Sequence, residues 1–411
     1  MKTWPTMPMV QVTRLVTDGK HGDCEDEENS GYYFLSSKDL RDGRLHYDKP
    51  RQITYSDFLA THRRTNLEPG DILLANCGAS IGRVGLAQAD PRICKTTFQK
   101  SVSVIKANTN IVDNRFLYYF VCHKSALLIR LGNGAAQPNL LIGDLKRIEV
   151  PVPPLPLQQR IADILSAYDE LIENNQRRIR ILESIARALY REWFVHFRFP
   201  GHESVPRIAS PFGEIPQGWE VMRLGDVADV NRAQINARNA PNELHYIDIS
   251  AVSPGQINTL ATYAFDDAPS RARRIVQHGD VLWSCVRPNR RSHAQVMHPE
   301  PDTIASTGFA VLTATKVPFT FLYFATTTDD FVAFLTNNAT GAAYPAVSGS
   351  TFEKAELLIP PAPLLKNFGD ATNPMAEQIH TLQRKVQNLR RTRDLLLPRL
   401  LSGQINVENF A

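Results

Sequence analysis

The 411-residue sequence contains only five cysteines, and none of them stands in a pattern that commonly carries chemistry. They form no CxxC pair, and no histidine lies at zinc-ligand spacing from two of them. The acidic run CEDEEN at 24–29 is typical of a solvated loop. The sequence therefore predicts free thiols in a reducing compartment and no metal site.

Long apolar runs are also missing. No stretch of 18 apolar residues is present, which excludes a membrane-spanning helix of ordinary length. The opening MKTWPTMPMVQVTR lacks the sustained apolar core of a signal peptide. We therefore expect a cytoplasmic protein.

The sequence lacks the motifs that mark common catalytic sites. There is no G-x-x-x-x-G-K-[ST] loop, no strand-linked G-x-G-x-x-G, no G-x-S-x-G elbow and no H-E-x-x-H helix. The glycine cluster GASIGRVG lies between two strand-like segments and predicts a tight hairpin. We predict a non-catalytic chain. The rival hypothesis is an enzyme whose active site carries none of these motifs.

Charge of either sign is not in large excess. The formal net charge is +4, from 46 Lys and Arg against 42 Asp and Glu, which alone does not identify nucleic acid as a partner. The hydrophobic share of 43% is typical of globular proteins, and the length predicts two or more domains.

A duplication is the strongest feature that the sequence does contain. GAAQPNLLIGDLKRIEVPVPPLP at 134–156 returns as GAAYPAVSGSTFEKAELLIPPAP at 341–363, a shift of 207 residues. Upstream, GDIL at 70–73 matches GDVL at 279–282, and FLSSKDLRDGRL matches IDISAVSPGQI. LYY at 117–119 likewise matches LYF at 322–324. A period of half the chain indicates a duplicated domain and not a solenoid.

Each copy is predicted to be a mixed α/β module, so the fold class is α+β. ILLANCG and SVSVIKA in the first copy, and VLWSCVR and GFAVLTA in the second, have the composition of strands. One helix per copy is predicted, near 113–131 and 318–336. A long helix is predicted after each proline cluster, because proline is tolerated at a helix start.

Both long helices carry a heptad stripe of apolar residues, with Asn175 and Arg393 at seam positions. The first helix is predicted over about 158–197, roughly 60 Å long. We expect the helices to pair antiparallel, the alternative being that each packs only on its own module. Asn175 either fixes the register or lies at a solvated edge. The predicted seam consists of Ile161, Leu165, Tyr168, Ile172, Ile179, Leu182, Leu189, Trp193, Ile379, Leu382, Val386, Leu389, Leu396 and Leu400.

Basic and polar loop residues are the remaining functional candidates, since Arg and Lys suit phosphates, while Arg, Asn and Gln can recognise base edges. For any one of them, a solvated surface role or an ordinary turn is the alternative. The DNA-binding candidates are Lys20, His21, Arg63, Arg64, Arg83, Lys100, Gln137, Asn139, Arg271, Arg273, Arg274, Arg287, Asn289, Arg290, Arg291 and Tyr344.

Over essentially its whole length the chain resembles the specificity subunit of type I restriction-modification systems. The resemblance is carried by the two junctions, IEVPVPPLPLQQRIADIL and AELLIPPAPLLKNFGDAT, each followed by a helical pattern. PQGWEVMRLGDVADV at 216–230 is similar to the opening of a target recognition domain, and DGKHG at 18–22 also fits. The order of these motifs, present twice, is more specific than any one of them.

The resemblance implies double-stranded DNA with a bipartite site as the target, one module contacting each half. It implies an antiparallel coiled-coil spacer that docks two modification (methyltransferase) subunits, with restriction subunits able to join. S-adenosylmethionine, ATP and magnesium would belong to those partners, and no cofactor to this chain. The rival hypothesis is a non-catalytic coiled-coil scaffold with two protein-binding modules.

The implied organisation has four segments. Residues 1–156 form target recognition domain 1 (module 1), 157–199 the central helix, 200–364 target recognition domain 2 (module 2) and 365–411 the C-terminal helix. Three departures stand out. Module 1 has only Trp4-Pro5 in place of a PxGW opening, its junction has LPLQQ where a Glu-Gln pair is usual, and Asn373-Pro374 predicts a late or interrupted second helix.

Overall fold

The structure is a computed structural model that describes residues 4–132, 139–405 and 407. The chain divides into two compact units. Unit 1 consists of 1–173 and 386–411, and unit 2 consists of 174–385. Both dividing points lie inside the long helices, so each unit contains one module together with a half of each helix.

Unit 1 is built on a six-stranded sheet with the order β2-β9-β6-β7-β5-β4, beside the pairs β1-β10 and β3-β8. The central strands β6 and β9 are buried along their whole length, as their aliphatic composition predicts. The strands are β1 Thr6–Pro8, β2 Thr13–Asp18, β3 Tyr33–Leu35, β4 Leu40–Arg41, β5 Arg44–Leu45, β6 Ile72–Ala75, β7 Val84–Leu86, β8 Thr96–Phe98, β9 Val102–Ala107 and β10 Glu149–Pro151.

Helices on one face of this sheet form the main core of unit 1. Phe116, Leu117 and Phe120 of α3 pack with Ile72 and Ile105 of the sheet and with Ile161 and Leu165 of the long helix α6. Asp113 caps α3 by accepting hydrogen bonds from the amides of Arg115 and Phe116. The helices are α1 Met9–Val12, α2 Tyr55–Thr65, α3 Asn114–His123, α4 Ser125–Leu131, α5 Ile142–Lys146 and α6 Leu155–Tyr190, the last of which continues into unit 2.

Unit 2 has two four-stranded sheets, ordered β14-β23-β20-β21 and β18-β15-β22-β19, and the pairs β11-β12, β13-β24 and β16-β17. The strands are β11 Arg207–Ser210, β12 Gly213–Pro216, β13 Glu220–Arg223, β14 Ala228–Val230, β15 Glu243–Ile247, β16 Val252–Ser253, β17 Gln256–Ile257, β18 Ala261–Ala264, β19 Ala272–Ile275, β20 Val281–Ser284, β21 His293–Gln295, β22 Thr303–Ser306, β23 Phe309–Ala314 and β24 Glu356–Ile359. The helices are α7 Leu224–Val227, α8 Phe319–Thr326, α9 Asp329–Asn337, α10 Gly349–Glu353 and α11 Ala362–Leu401, the last of which continues into unit 1.

The two modules repeat the same strand pairings, as the sequence duplication predicts. The run β2-β9-β6-β7 corresponds to β14-β23-β20-β21, and the parallel pair β3-β8 corresponds to β15-β22. The short pair that precedes each long helix is also repeated, as β1-β10 and β13-β24. The matched GDIL and GDVL segments begin the equivalent strands β6 and β20.

The strand register also identifies the opening of module 1. Thr6 pairs with Pro151, and Val221 pairs with Leu358, the residue equivalent to Pro151 by the 207-residue shift. Counting back two residues puts Trp4 at the position of Trp219, so Trp4-Pro5 is the counterpart of the PxGW opening. Trp219 is buried against Phe194 and Phe199 in the unit 2 core.

Two predictions about helices are wrong. The single helix expected in each module is two successive helices, α3 and α4 in one and α8 and α9 in the other. The break falls at Lys124 and again at Thr327–Thr328, where Thr328 accepts a hydrogen bond from the Phe331 amide and starts a new helix. The apolar periodicity continues through both breaks, which is why it predicted one helix.

The second long helix is neither late nor interrupted. It begins at Ala362 and runs through Asn373-Pro374 to Leu401. Proline removes one helical hydrogen bond, and the surrounding packing keeps the helix intact: Thr320 hydroxyl donates to Asn373 Oδ1 (2.8 Å), and Thr372 hydroxyl donates to the Phe368 carbonyl (2.8 Å). Helix α6 begins at Leu155 and ends at Tyr190, followed by a π-helical turn at Arg191–Val195.

None of the helices in the described part of the chain is both long and apolar enough to cross a membrane.

Candidate nucleic-acid interface

The junction loop and the loop after the GD strand meet in each module. In module 2 Val286 forms an antiparallel bridge with Ala346, and in module 1 Cys77 forms the equivalent bridge with Asn139. The Leu140 amide donates to the Asn76 carbonyl (2.8 Å), and the Val347 amide donates to the Cys285 carbonyl (2.9 Å). Two segments that the sequence marked separately therefore form one surface in both modules.

In module 2 this surface joins Arg287 to Tyr344. The Arg287 guanidinium lies 4.5 Å from the centre of the Tyr344 ring and donates to the Ala343 carbonyl (3.2 Å). The Arg287 amide donates to the Pro345 carbonyl (2.7 Å). Tyr344 is 68% exposed, so the stacked pair faces solvent. A cation held on an aromatic face suits contact with a phosphate or a base.

The rest of the VRPNRRSH loop is a short turn at Pro288–Arg290 held between two left-handed residues, Arg287 (φ 51°) and Arg291 (φ 55°). Asn289 and Arg290 are exposed at its tip. Arg291 instead forms an ion pair with Asp329, whose pKa it lowers by hydrogen bonding. The tip therefore presents Asn289 and Arg290, while Arg291 anchors the loop to α9.

The SRARR segment approaches this loop through the turn at Thr307–Gly308. The Thr307 amide donates to the Arg271 carbonyl (2.7 Å), and the Cys285 amide donates to the Gly308 carbonyl (2.8 Å). Arg271 is exposed, whereas the guanidinium of Arg273 lies over the Phe265 ring and donates to the Ala272 carbonyl.

Arg274, like Arg273, is only partly accessible. It is half-buried on the edge strand β19, and its Nε is buried with no hydrogen-bond partner among the described residues. Of the three SRARR candidates, Arg271 is therefore the best placed for a ligand in solution.

In module 1 an open cavity of about 580 Å³ collects several candidates. His21, Arg64, Lys100 and Asn139 line it, together with Asp18. Asp18 is nearly buried, accepts a hydrogen bond from Arg64, and lies 2.8 Å from His21 Nε2. The cavity therefore has a basic rim organised by one carboxylate.

The other module 1 candidates lie elsewhere. The Lys20 ammonium donates to Asp57 Oδ1 (2.6 Å), a hydrogen bond that raises the pKa of Lys20. Arg63 is exposed on α2, and Arg83 is exposed in the turn before β7. Gln137 lies outside the described residues.

Among the cavity-lining residues that sequence reasoning missed are Asp18, Asn76 and Lys146. Asp18 begins the DGKHG motif, so its proximity to His21 was a usable signal. Arg64 lies 46 residues further along the chain, and nothing in the local pattern indicated its contact with Asp18.

The predicted helix seam is protected from solvent, since all fourteen of its residues are buried or half-buried. In unit 1, Ile161 and Leu165 share a core cluster with Leu400 and Leu401. In unit 2, Ala186 shares a core cluster with Leu365 and Phe368, and the Phe194 ring lies 4.8 Å from that of Phe368. Arg393, the charged seam residue, donates to Asp169 Oδ1 (2.5 Å) inside unit 1.

Comparison with known proteins identifies this architecture. The family model described as the type I restriction modification DNA specificity domain matches residues 7–184 and again residues 216–371. The chain belongs to the type I restriction-modification specificity subunits. The two matched regions cover most of the two modules, so each module corresponds to one DNA specificity domain.

Relatives of this specificity subunit match along most of its length. The MjaIX specificity subunit of Methanocaldococcus jannaschii is 27% identical over 396 residues, covering 92% of this chain and 87% of the relative. The HindI specificity subunit of Haemophilus influenzae is 22% identical, covering 82% and 87%. The crystal structure of a type I S subunit from M. genitalium shares the fold, with a TM-score of 0.60 at 16% identity over 97% of this chain and 96% of that one.

Proposed function

We propose that this specificity subunit recognises a bipartite DNA site, with residues 1–156 contacting one half and residues 200–364 the other. The observation that carries the proposal is the repeated loop contact, Cys77 with Asn139 and Val286 with Ala346. Equivalent surfaces with different side chains are suited to two unlike half-sites, so the target need not be palindromic.

The proposed contacts divide into two kinds. Arg290 and Asn289 at the loop tip are candidates for contact with base edges, because their side-chain donors are exposed. Neither side chain is needed to hold the loop, since Arg287 and Arg291 anchor it. Arg271, Arg64 and Lys100 are candidates for phosphates, which orient a protein on DNA without selecting sequence. The stacked Arg287–Tyr344 pair holds the loop to the junction and offers an exposed aromatic face.

We infer that α6 and α11 form an antiparallel coiled-coil spacer. Supporting this, the N-terminal half of α6 shares a cluster with the C-terminal half of α11 in unit 1, and the opposite halves share a cluster in unit 2. A helical pair of this kind makes the gap between half-sites a geometric quantity, as dimer spacing does in other DNA-binding proteins.

The same helices are proposed to dock two methyltransferase subunits, with restriction subunits able to join. Large apolar side chains that lie off the seam and are about half exposed support a docking role: Leu171, Ile181, Ile185 and Leu395. In this proposal the chain is cytoplasmic and non-catalytic, and S-adenosylmethionine, ATP and magnesium are bound by its partners.

The test is a methylome. The chain is expressed with its methyltransferase subunit in a host free of DNA methylation, and modified adenines are mapped against the methyltransferase alone. A two-part motif with a fixed unspecified gap, present only with this chain, is the expected result. A stable complex that produces no new motif would favour the scaffold hypothesis. Failure to form a complex would contradict the docking role of the helices.

A further inference from the structure

Two histidines and a glutamate meet where module 2 contacts α11. His278 lies in the turn between β19 and β20, His298 in the loop after β21, and Glu377 on α11. One ligand atom from each of the three side chains lies within 4.8 Å of those of the other two. No other group of three such residues was found in the described part of the chain.

The present contacts show that the three side chains point at one another. His298 Nε2 lies 2.6 Å from Glu377 Oε2, and His278 Nε2 lies 3.5 Å from Glu377 Oε1. The two imidazole rings are 4.5 Å apart between centres. Side-chain exposures of 57%, 38% and 40% for His298, His278 and Glu377 leave a path for an ion from solvent.

A third imidazole lies beside the group. The ring of His380, one helical turn beyond Glu377, is 5.6 Å from that of His298. Its Nε2 is buried with no hydrogen-bond partner among the described residues.

We propose that His278, His298 and Glu377 bind one divalent transition-metal ion, most suitably Zn²⁺, which ties two loops of module 2 to α11. Two imidazole nitrogens and one carboxylate oxygen form a donor set that zinc uses in proteins. Binding replaces the His298–Glu377 hydrogen bond and the His278–Glu377 contact with bonds to the metal. It also requires His278 Nδ1 to hold a proton, so this nitrogen gives up its 3.3 Å contact with the His298 amide.

The duplication shows that the group is specific to module 2. The shift of 209 residues that aligns the two GD strands puts Pro69 and Ala89 opposite His278 and His298. The shift of 207 residues puts Glu173 opposite His380, and in unit 1 Glu173 forms an ion pair with Arg44 of β5. Module 1 therefore lacks both loop histidines, and at the helix position of His380 it has a carboxylate that is paired with Arg44.

The experiment uses the full chain without a histidine tag, freed of metal by a chelator. Binding of Zn²⁺ is measured by titration calorimetry and binding of Co²⁺ by visible absorption, for the wild type, His298→Ala and Glu377→Gln. His245→Ala is the matched control, since His245 has a single glutamate partner, Glu300, at 3.6 Å. Thermal unfolding in chelator establishes that each variant folds.

We expect one Zn²⁺ per wild-type and per His245→Ala chain, and a thermal midpoint that rises with free zinc. His298→Ala and Glu377→Gln should weaken Zn²⁺ binding by at least ~10-fold. Substituting a residue that only hydrogen-bonds to a metal ligand already lowers metal affinity by about that factor, and these two residues are proposed to be ligands themselves. Equal binding by wild type and His298→Ala would overturn the proposal. The proposal would also be overturned if the three side chains form only a hydrogen-bonded cluster. In that case Glu377→Gln would lower the thermal midpoint in chelator, and zinc would not change the midpoint of the wild type.

Discussion

At the scale of single residues, the duplication provides pairs of equivalent positions at which a buried polar group has different partners. Asp71 and Asp280 are equivalent and buried at the start of the GD strand. Asp71 accepts from the buried ammonium of Lys106 (2.6 Å). Asp280 instead accepts from the Thr313 hydroxyl (2.7 Å) and the Gln277 amide (2.8 Å). Among the residues that the structure describes, Asp71 has an ion-pair partner and Asp280 has none.

This difference predicts opposite effects of one substitution. Burial raises the pKa of Asp280 to about 6. Between about pH 4 and pH 6 the folded state binds a proton that the unfolded state has released, so stability falls as pH rises through that range. Asp280→Asn should therefore gain up to ~3 kcal/mol over the wild type above pH 6 and little below pH 4. Urea unfolding across this pH range checks the trend.

The control is Asp71→Asn. Burial raises the pKa of Asp71 as well, but this substitution also leaves the Lys106 ammonium buried without its closest carboxylate. We expect it to lose about 3 kcal/mol at neutral pH. If both asparagine variants lose stability equally, the missing counter-ion is not what distinguishes the two sites.

The exposed tip of the VRPNRRSH loop carries a prediction about specificity. Arg290→Ala should reduce the free energy that discriminates between bases at one position of one half-site by ~1–3 kcal/mol. The other half-site should be recognised unchanged, because only module 2 carries this loop. The methylome of the variant complex measures the change. Lys100→Ala in module 1 is the comparison, expected to weaken methylation without altering the motif. An unchanged motif in Arg290→Ala would limit the loop to backbone contact or to an ordinary surface role.

At the scale of elements, periodicity marked helix positions that the structure buries or half-buries, and it predicted one helix where each module has two. Apolar spacing reports which face of a helix is buried, and all fourteen seam positions are protected. It does not report where a cap competes with helix continuation, as at Thr328, nor whether packing retains a proline such as Pro374 inside a helix. The His278–His298–Glu377 group escaped sequence analysis because its members lie up to 99 positions apart.

The exposed apolar residues of α6 predict a docking surface. Ile181 and Ile185 are one helical turn apart and about half exposed. Changing both to Glu should prevent co-purification with the methyltransferase subunit and leave the helix content unchanged, because neither lies on the seam. Ala167→Glu, at an exposed position of the same helix, is the control. Retention of the methyltransferase by the double variant would assign its docking to another surface.

At the scale of the whole molecule, the fold and the duplication could be predicted from the order of motifs, while the candidate site could be predicted only in part. The junctions and GD strands marked equivalent places in two copies. Contacts such as Arg287 with Tyr344, 57 residues apart, depend on how loops fold back and have no local signature. Sequence alone could not separate Arg290, which is exposed, from Arg291, which is paired with Asp329.

Spacer length gives a prediction for the whole protein. Inserting three heptads after Glu173 and three after Lys385 should lengthen both helices by ~31 Å and keep the seam in phase. This is close to one turn of DNA, so the gap in the methylated motif should grow by about nine base pairs with the half-sites unchanged. Insertion into one helix only should abolish methylation. An unchanged gap after the double insertion would show that the helices do not set the spacing.

Unit 1 is assembled from two separated parts of the chain, and this has a consequence for synthesis on the ribosome. Leu400, Leu401 and Val407 are buried in the same cluster as Val12 and Ile161, and the indole of Trp4 lies against Gly403. Unit 2, in contrast, is one continuous segment. The module translated first therefore completes its core last, after the later module has emerged. A premature stop codon near residue 390 would leave the second module whole and expose the interior of the first.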